Sequence, residues 1–421
     1  MSAVNDASQL AVNGGPKVRQ QPWPGRALFG EEEKAAVVAL FDEAIRTGSA
    51  FGYNGPQEEA YCREFAEYLG GGYADAVNSG SSAVYVALRS LKLEPFTEVI
   101  CPAITDPGGI MPVAMLNCIP IVADVCPGSY NIGAEQIAAC LSERTSAIIV
   151  AHIAGEPADM DPILELARSR GIPVIEDCAQ AHGARYKGRP VGTLGDVGAF
   201  STMSGKHHAT AAQGGVVFTR NEATYWEARR CSDRGKPFGL EGVPSNVIAA
   251  PNMNLNDLSA AVGRVQLKKL DRIVARRRDV ARAIHEGLKK RSRVVTPGWQ
   301  PEGAEASYWF LRLHVDTSQI TVSGDQFASA IGAEGIPVAP SYRAAFQARA
   351  KWLVEKRAFG SGHYPWSAPE YKGDPERQFP CPNAVSVLDT DFNIHIHESC
   401  GEQEIADILT AIEKVEQAYC K

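Results

Sequence analysis

The sequence predicts an α/β fold, with a large domain on a mostly parallel sheet followed by a smaller α+β C-terminal domain. Three observations carry this expectation. Between about residues 77 and 220, short apolar runs alternate with amphipathic stretches, the rhythm of parallel strands joined by crossover helices. Residues 258–290 carry one long helical pattern, rich in Ala, Leu and paired charges, that could bridge two units. Beyond it a strand-like alternation and two further amphipathic stretches form a second unit. The expected division is 1–265, an N-terminal segment plus the large domain, and 266–421, the small domain.

Taken in order, Ala147–Ala151 and Pro173–Ile175 read as buried strands, and Pro162–Arg170 reads as the helix between them. Asp161 can cap that helix and Pro162 suits its first turn. Asn256 or Asp257 is a plausible cap for the long helix. Tyr308–Val315 alternates like a strand, Gly324–Gly332 is helical, and Glu402–Tyr419 closes the chain as an amphipathic helix. Phe359–Pro382 is dense in Gly, Pro and aromatic residues and reads as a long ordered or substrate-facing loop. No internal repeat is visible.

Composition narrows the class. A chain of 421 residues with 45% hydrophobic content can bury a sizeable core, and a formal charge of −7 without a basic stripe argues against nucleic acid as a main partner. The basic clusters Lys268-Lys269, Arg276-Arg277-Arg278 and Lys289-Lys290-Arg291 read as a solvated helix face. Ten cysteines without a CxxC pair read as reduced thiols and favour the cytoplasm. No stretch approaches eighteen uninterrupted apolar residues, and residues 1–15 lack the basic start and apolar run of a signal peptide. A small-molecule enzyme that is neither exported nor membrane-bound is expected.

Three segments carry candidate chemistry. Asp177 follows a buried strand, at the edge where open α/β sheets bind ligands. A carboxylate there is costly unless it faces a cation, and a protonated ring nitrogen would serve; alone, it reads as readily as the cap of the next turn. Lys206 lies five residues after Ser201 in a glycine-rich polar run. A lysine beside a cationic ring or in a partly apolar pocket has a lowered pKa, so it can form an imine and move protons. Its plain alternative is a surface loop lysine. Asn78–Leu88 is a small-residue turn feeding a helix, whose free N–H groups and dipole suit a phosphate, with Ser81 and Ser82 as added donors. A serine there can equally be only a cap.

In this order the three segments resemble the DegT/DnrJ/EryC/StrS sugar aminotransferase family, pyridoxal 5′-phosphate (PLP) enzymes of fold type I, the aspartate-aminotransferase-like class. The likeness starts at Leu10–Arg19, continues through Ala151–Asp161 and Glu176–Gly183, and reaches Asn252–Asp257. It implies Lys206 as the Schiff-base lysine, Asp177 on the pyridine nitrogen and Gln180 near the ring hydroxyl. Phosphate would be held by Ser81, Ser82 and Ser201. Asn252, with Asn254 as second choice, would reach the phosphate of a neighbouring subunit, which implies a homodimer with shared sites. The implied reaction moves an amino group from glutamate or glutamine to a keto-sugar or ketocyclitol, in amino-sugar or antibiotic biosynthesis. Within the family, the Ala151–Asp161 and Ala181–Gly188 runs look most like the branch acting on cyclitol ketones and on the aminohydroxybenzoate precursor.

The sequence departs from the family pattern in three places. Asp106-Pro107 follows Thr105 where an aromatic residue usually stacks on the ring, Ala212-Gln-Gly-Gly215 carries one extra residue after the lysine, and Met203-Ser-Gly205 lacks aromatic or amide character. Two rival readings follow. A PLP-dependent sugar dehydratase would use a histidine in place of the lysine, and His207 and His208 are near in sequence. A non-catalytic PLP-binding regulatory protein would have Asp106 as its support.

Overall fold

The computed structural model describes residues 7–421. The first six residues of the stretch read as lacking a signal peptide lie outside the described residues.

A seven-stranded sheet organises the larger unit. Its strands are β1 (Tyr73–Val77), β2 (Glu98–Pro102), β3 (Ile119–Ala123), β4 (Thr145–Ala151), β5 (Val174–Asp177), β6 (Val197–Ser201) and β7 (Gly215–Thr219), in the spatial order β1-β7-β6-β5-β4-β2-β3. Pairing from β3 through β2, β4 and β5 to β6 is parallel. Strand β7 runs antiparallel to both β6 and β1. Six strands therefore end at one edge. Helices lie on both faces, so β2, β3 and β6 are buried along their whole length, as strands covered on both faces must be.

The principal helices are α1 (Glu31–Thr47), α2 (Pro56–Tyr68), α3 (Gly80–Ser90), α4 (Met160–Arg170), α5 (Asp257–Arg291), α6 (Gly324–Ala333) and α7 (Glu402–Tyr419). Asn256 caps α5 by accepting from the Ser259 N–H at 2.8 Å. Leu267, Leu270 and Val274 of this helix join the larger core, whereas Val280, Ala281, Ile284 and Leu288 join the smaller one. The smaller core is built on β8 (Val295–Pro297), β9 (Leu311–Val315), β10 (Val338–Ala339) and β11 (Asp391–Ile394), antiparallel in the order β8-β9-β11-β10. Leu10 packs into this smaller core, and Ala11 and Val18 donate their N–H groups to Glu334.

Four local expectations need correction. Asp161 does not cap α4; it lies inside the first turn and pairs with Lys187 at 2.7 Å and Arg189 at 2.9 Å, and Asp159 occupies the cap position without a side-chain cap bond. The strand expected at Tyr308–Val315 begins at Leu311, because Ser307 and Trp309 donate backward to Gly155 and Ala154 and Tyr308 sits at φ 52°. Arg277 is not on a solvated face: it is buried and pairs with Glu398 at 2.9 Å. Consecutive helix positions point about 100° apart, so a run of three arginines wraps from solvent to core. The stretch 359–381 holds no helix or strand, and the Tyr371 hydroxyl donates to Glu98 at the start of β2, the sheet edge opposite the strand ends. It is an ordered loop, anchored at Tyr371 away from the ends of the parallel strands. Among the described residues no helix is long and apolar enough to cross a membrane.

Candidate active site

Because six strands end at one edge, the turns after β1, β2, β4, β5 and β6 converge there, and a cavity of about 240 Å³ opens among them. Ligand sites form at such edges because the loops there are free to diverge while the strands hold their bases rigidly. Five of the seven sequence-derived site residues line or face it: Ser81, Asp177, Gln180, Ser201 and Lys206.

At one end, β1 runs into α3. Ser79 caps this helix, its Oγ accepting from Ser82 N–H at 3.1 Å. Gly80 is pressed against Ser201: a Cβ there would fall 2.5 Å from the Ser201 Cβ and 2.9 Å from its Oγ. The helix N-terminus and the end of β6 thus share one wall, with free N–H groups and hydroxyls suited to an anion. Ser82 is not part of that wall. Its hydroxyl donates to Asn78 Oδ1 at 2.6 Å, and Ser79 stands in the lining instead. A residue at the third helical position points about 200° around the axis from the first, and the sequence run alone does not reveal which serine faces the cavity.

At the other end, Asp177 closes β5. It is buried, and its one hydrogen bond is from Ala179 N–H to Oδ1 at 3.0 Å. Burial pushes its carboxyl above the ordinary range, with the Ala179 bond and the Lys206 charge opposing that shift. Lys206 is also buried, and burial pulls its amine down to about 8 against the pull of Asp177 and Asp106. Gln180 is held by both ends of its amide: Oε1 accepts from Ala154 N–H at 2.9 Å and Nε2 donates to the Tyr342 hydroxyl at 3.0 Å.

Three groups near the cavity were not anticipated. His152, at the end of β4, is fully buried; its Nδ1 accepts from Ala158 N–H at 3.0 Å, so its proton lies on Nε2 and is donated to Glu176 at 3.0 Å. Its strand-end position was a usable signal, since it shares the edge with Asp177. Tyr342 and Trp309 come from the chain beyond α5, pack against the larger core, and had no such signal. The Trp309 ring centroid is 3.9 Å from Lys206 Nζ.

Where an aromatic residue was expected over the ring, Asp106 caps a short turn by accepting from Gly108 N–H at 3.1 Å. The two glycines that follow form a backbone roof. A Cβ on Gly108 would lie 2.2 Å from Ser81 Oγ, and one on Gly109 would lie 2.6 Å from Asp177 Oδ2. His207 and His208 are turned away from the cavity, to the Ser307 carbonyl and the Tyr61 hydroxyl, each at 3.0 Å. Burial holds both imidazoles well below their ordinary pKa. Asn252 does not line this cavity; its Oδ1 accepts from Asn254 Nδ2 at 2.7 Å.

Residues 31–359 match the model of the DegT/DnrJ/EryC1/StrS aminotransferase family. The chain is 31% identical to the L-glutamine:2-deoxy-scyllo-inosose aminotransferase of Streptomyces lividus, over 97% of this chain and 98% of the relative. Among solved structures, an aminotransferase from Psychrobacter cryohalolentis superposes with a TM-score of 0.79 at 28% identity, covering 93% of this chain and 98% of the other. The 3-amino-5-hydroxybenzoic acid synthase superposes at 0.78 and 27%, covering 94% of this chain and 99% of the other.

Proposed function

The chain belongs to the DegT/DnrJ/EryC1/StrS aminotransferase family, and from that premise we propose that it moves an amino group from glutamate or glutamine to a ketocyclitol or keto-sugar, with PLP as cofactor. The relative from Streptomyces lividus, named for glutamine and a ketocyclitol, supports that donor and acceptor class. The carrying observation is the pair Asp177 and Lys206 in one buried cavity, a carboxyl pushed up and an amine brought down to about 8. A carboxyl in that state is stabilised by a ring cation, and an amine in that state is readily neutral and nucleophilic.

The cavity walls fit the cofactor. Gly80, Gly108 and Gly109 clear the space between the α3 N-terminus and Asp177, and a Cβ on any of them would collide with Ser201, Ser81 or Asp177. When bound, PLP contributes a carbonyl carbon that bonds amines and a ring that withdraws electrons from the reacting carbon. The α3 N-terminus, Ser81 and Ser201 would hold its phosphate, and Asp177 would keep a proton on its ring nitrogen. Gln180, its amide fixed by Ala154 and Tyr342, would stand near its ring hydroxyl. Lys206 Nζ would anchor the cofactor and, when its amine is free, would carry the donor's α-proton.

The reading extends to the assembly. A homodimer would bring Asn252 of a second copy to the phosphate, and the exposed apolar positions Val38, Phe41 and Ile45 on one face of α1 support burial against another chain. It divides the chain at 265/266, with α5 as the bridge. Ten cysteines, none of them in a disulfide among the described residues, support a reducing compartment, the cytoplasm. The test is transfer of label from amine-¹⁵N glutamine to candidate ketocyclitols and keto-sugars, read by mass spectrometry. Absence of donor-dependent transfer to every ketone tried, with cofactor bound, would overturn the reading.

A further inference from the structure

Behind Lys206 stands a structure that the reaction as described does not use. Trp309 enters from the chain beyond α5 with its indole face 3.9 Å from Nζ of Lys206, and its Nε1–H donates to the Gly205 carbonyl at 3.2 Å. Its backbone is held firmly. Trp309 N–H donates to Ala154 O at 2.8 Å, and Arg277 donates to the carbonyls of Tyr308 and Trp309 at 2.8 and 3.1 Å. Tyr308, just before it, sits at φ 52°, a region that a bulky residue occupies only when its surroundings impose it. The buried Arg277 also pairs with Glu398 at 2.9 Å, Glu398 pairs with Arg26 at 2.6 Å, and the Arg26 guanidinium returns to the carbonyls of Lys206 and His207. The lysine is gripped twice, by its main chain through Arg26 and at its amine by the indole.

Resting on the reading of Lys206 as the proton carrier, we propose that Trp309 is a positioning residue that holds the Lys206 amine whenever it is not bonded to the cofactor, stabilising its ammonium form against the tryptophan face. Desolvation alone would leave that ammonium poorly supported, and burial does lower this amine. A tryptophan face is the best aromatic surface for a desolvated cation. The other charged groups facing Nζ are the carboxyls of Asp177 and Asp106, while His182 behind them is neutral, its pKa lowered to about 4 by burial. Trp309 thus adds support for the proton that the lysine has just taken, without adding an acid to the cavity.

The experiment is competitive acetylation of the full-length protein across pH, with and without added PLP, mapped by mass spectrometry to Lys206 and to the exposed Lys187 as control. Trp309 is replaced by leucine, by phenylalanine, and by mono- and difluorotryptophan, which keep the ring's shape while weakening its π face. In cofactor-free protein the apparent pKa of Lys206 should fall by about half a unit to one unit in Trp309→Leu, about a three- to tenfold change in the amine-to-ammonium ratio. Trp309→Phe should lie between, and the fluorinated series should fall stepwise with Lys187 unmoved. An unchanged pKa across the fluorinated series would overturn the proposal, even if Trp309→Leu fails to fold. This readout needs no turnover, so failure of the aminotransfer reading, seen as no labelled product, is distinct. In the loaded enzyme kcat should drop in Trp309→Leu with the donor KM little changed; a loss confined to KM would argue against the proposal.

Discussion

Gly109 lies so close to Asp177 that a Cβ on it would fall 2.6 Å from Oδ2 and 2.9 Å from Thr105 Oγ1. The carboxylate cannot retreat freely, since its Oδ1 is tied to Ala179 N–H. The loop after β2 therefore determines where the acid at the end of β5 can stand. Gly109→Ala should displace Asp177 from the ring nitrogen and weaken PLP binding by about tenfold or more, about 1.4 kcal/mol. An absorbance titration measures this, and unchanged affinity would remove the link between this loop and the cofactor.

Asp177→Asn keeps the size of the side chain and removes the charge that would hold a proton on the ring. Cofactor should remain bound through the α3 end of the cavity, while the donor half-reaction slows by about a hundredfold or more. Stopped-flow spectroscopy with glutamine or glutamate checks both parts. Near-normal rates in the mutant would release Asp177 from the role.

The pH dependence of stability follows from Lys206. Its folded pKa, about 8, is below the ordinary lysine value of 10.5, so burial disfavours the charged form. The unfolded chain binds more protons between these values, and stability from this group rises as pH climbs from about 8 to 10.5. Below pH 8 the full penalty applies. Lys206→Met in cofactor-free protein should therefore gain more relative to wild type at pH 7 than at pH 10, by up to about 3 kcal/mol. Denaturant unfolding at the two pH values tests it; an equal difference at both would contradict the burial argument.

Arg312 is fully buried between two acids, 2.9 Å from Glu156 and 2.6 Å from Asp391. Glu156 is pushed upward by burial and restrained by this arginine. Arg312→Met would leave two carboxyls without their cation and should cost about 3–5 kcal/mol. A loss below about 1 kcal/mol in urea unfolding would mean that water or another cation reaches the site.

The proposed sharing of sites makes a complementation prediction. Asn252 hydrogen-bonds to Asn254 and is absent from its own chain's cavity. Lys206→Ala and Asn252→Ala proteins should each be impaired alone. In a mixed dimer one site would combine an intact Lys206 with an intact Asn252 from the other copy, so mixing and re-association should restore part of the activity. No recovery from verified mixed dimers would rule out the shared phosphate site.

The sequence by itself determined much of the cavity's near wall. Asp177 was legible because it closes a strand, and parallel strands must bring those ends to one edge; Lys206 stood out in the polar run after the next strand, while Gln180 and Ser201 were implied by the family resemblance. Once the alternation of strands and helices is recognised, the convergence follows from topology without any knowledge of packing. The cap of α5 at Asn256 and the limits of α7 were legible for a similar reason, since they depend on side chains three or four residues away.

Only the tertiary structure decided what depends on distant partners. Arg277 leaves the solvated face for Glu398, and His207 and His208 turn to Ser307 and Tyr61. Trp309 reaches Lys206 and Tyr342 reaches Gln180 from more than a hundred residues further along the chain. Periodicity records which face of an element is apolar, but not what will pack on it. Such approaches depend on how segments far apart in sequence meet, and that is a property of the whole packed chain.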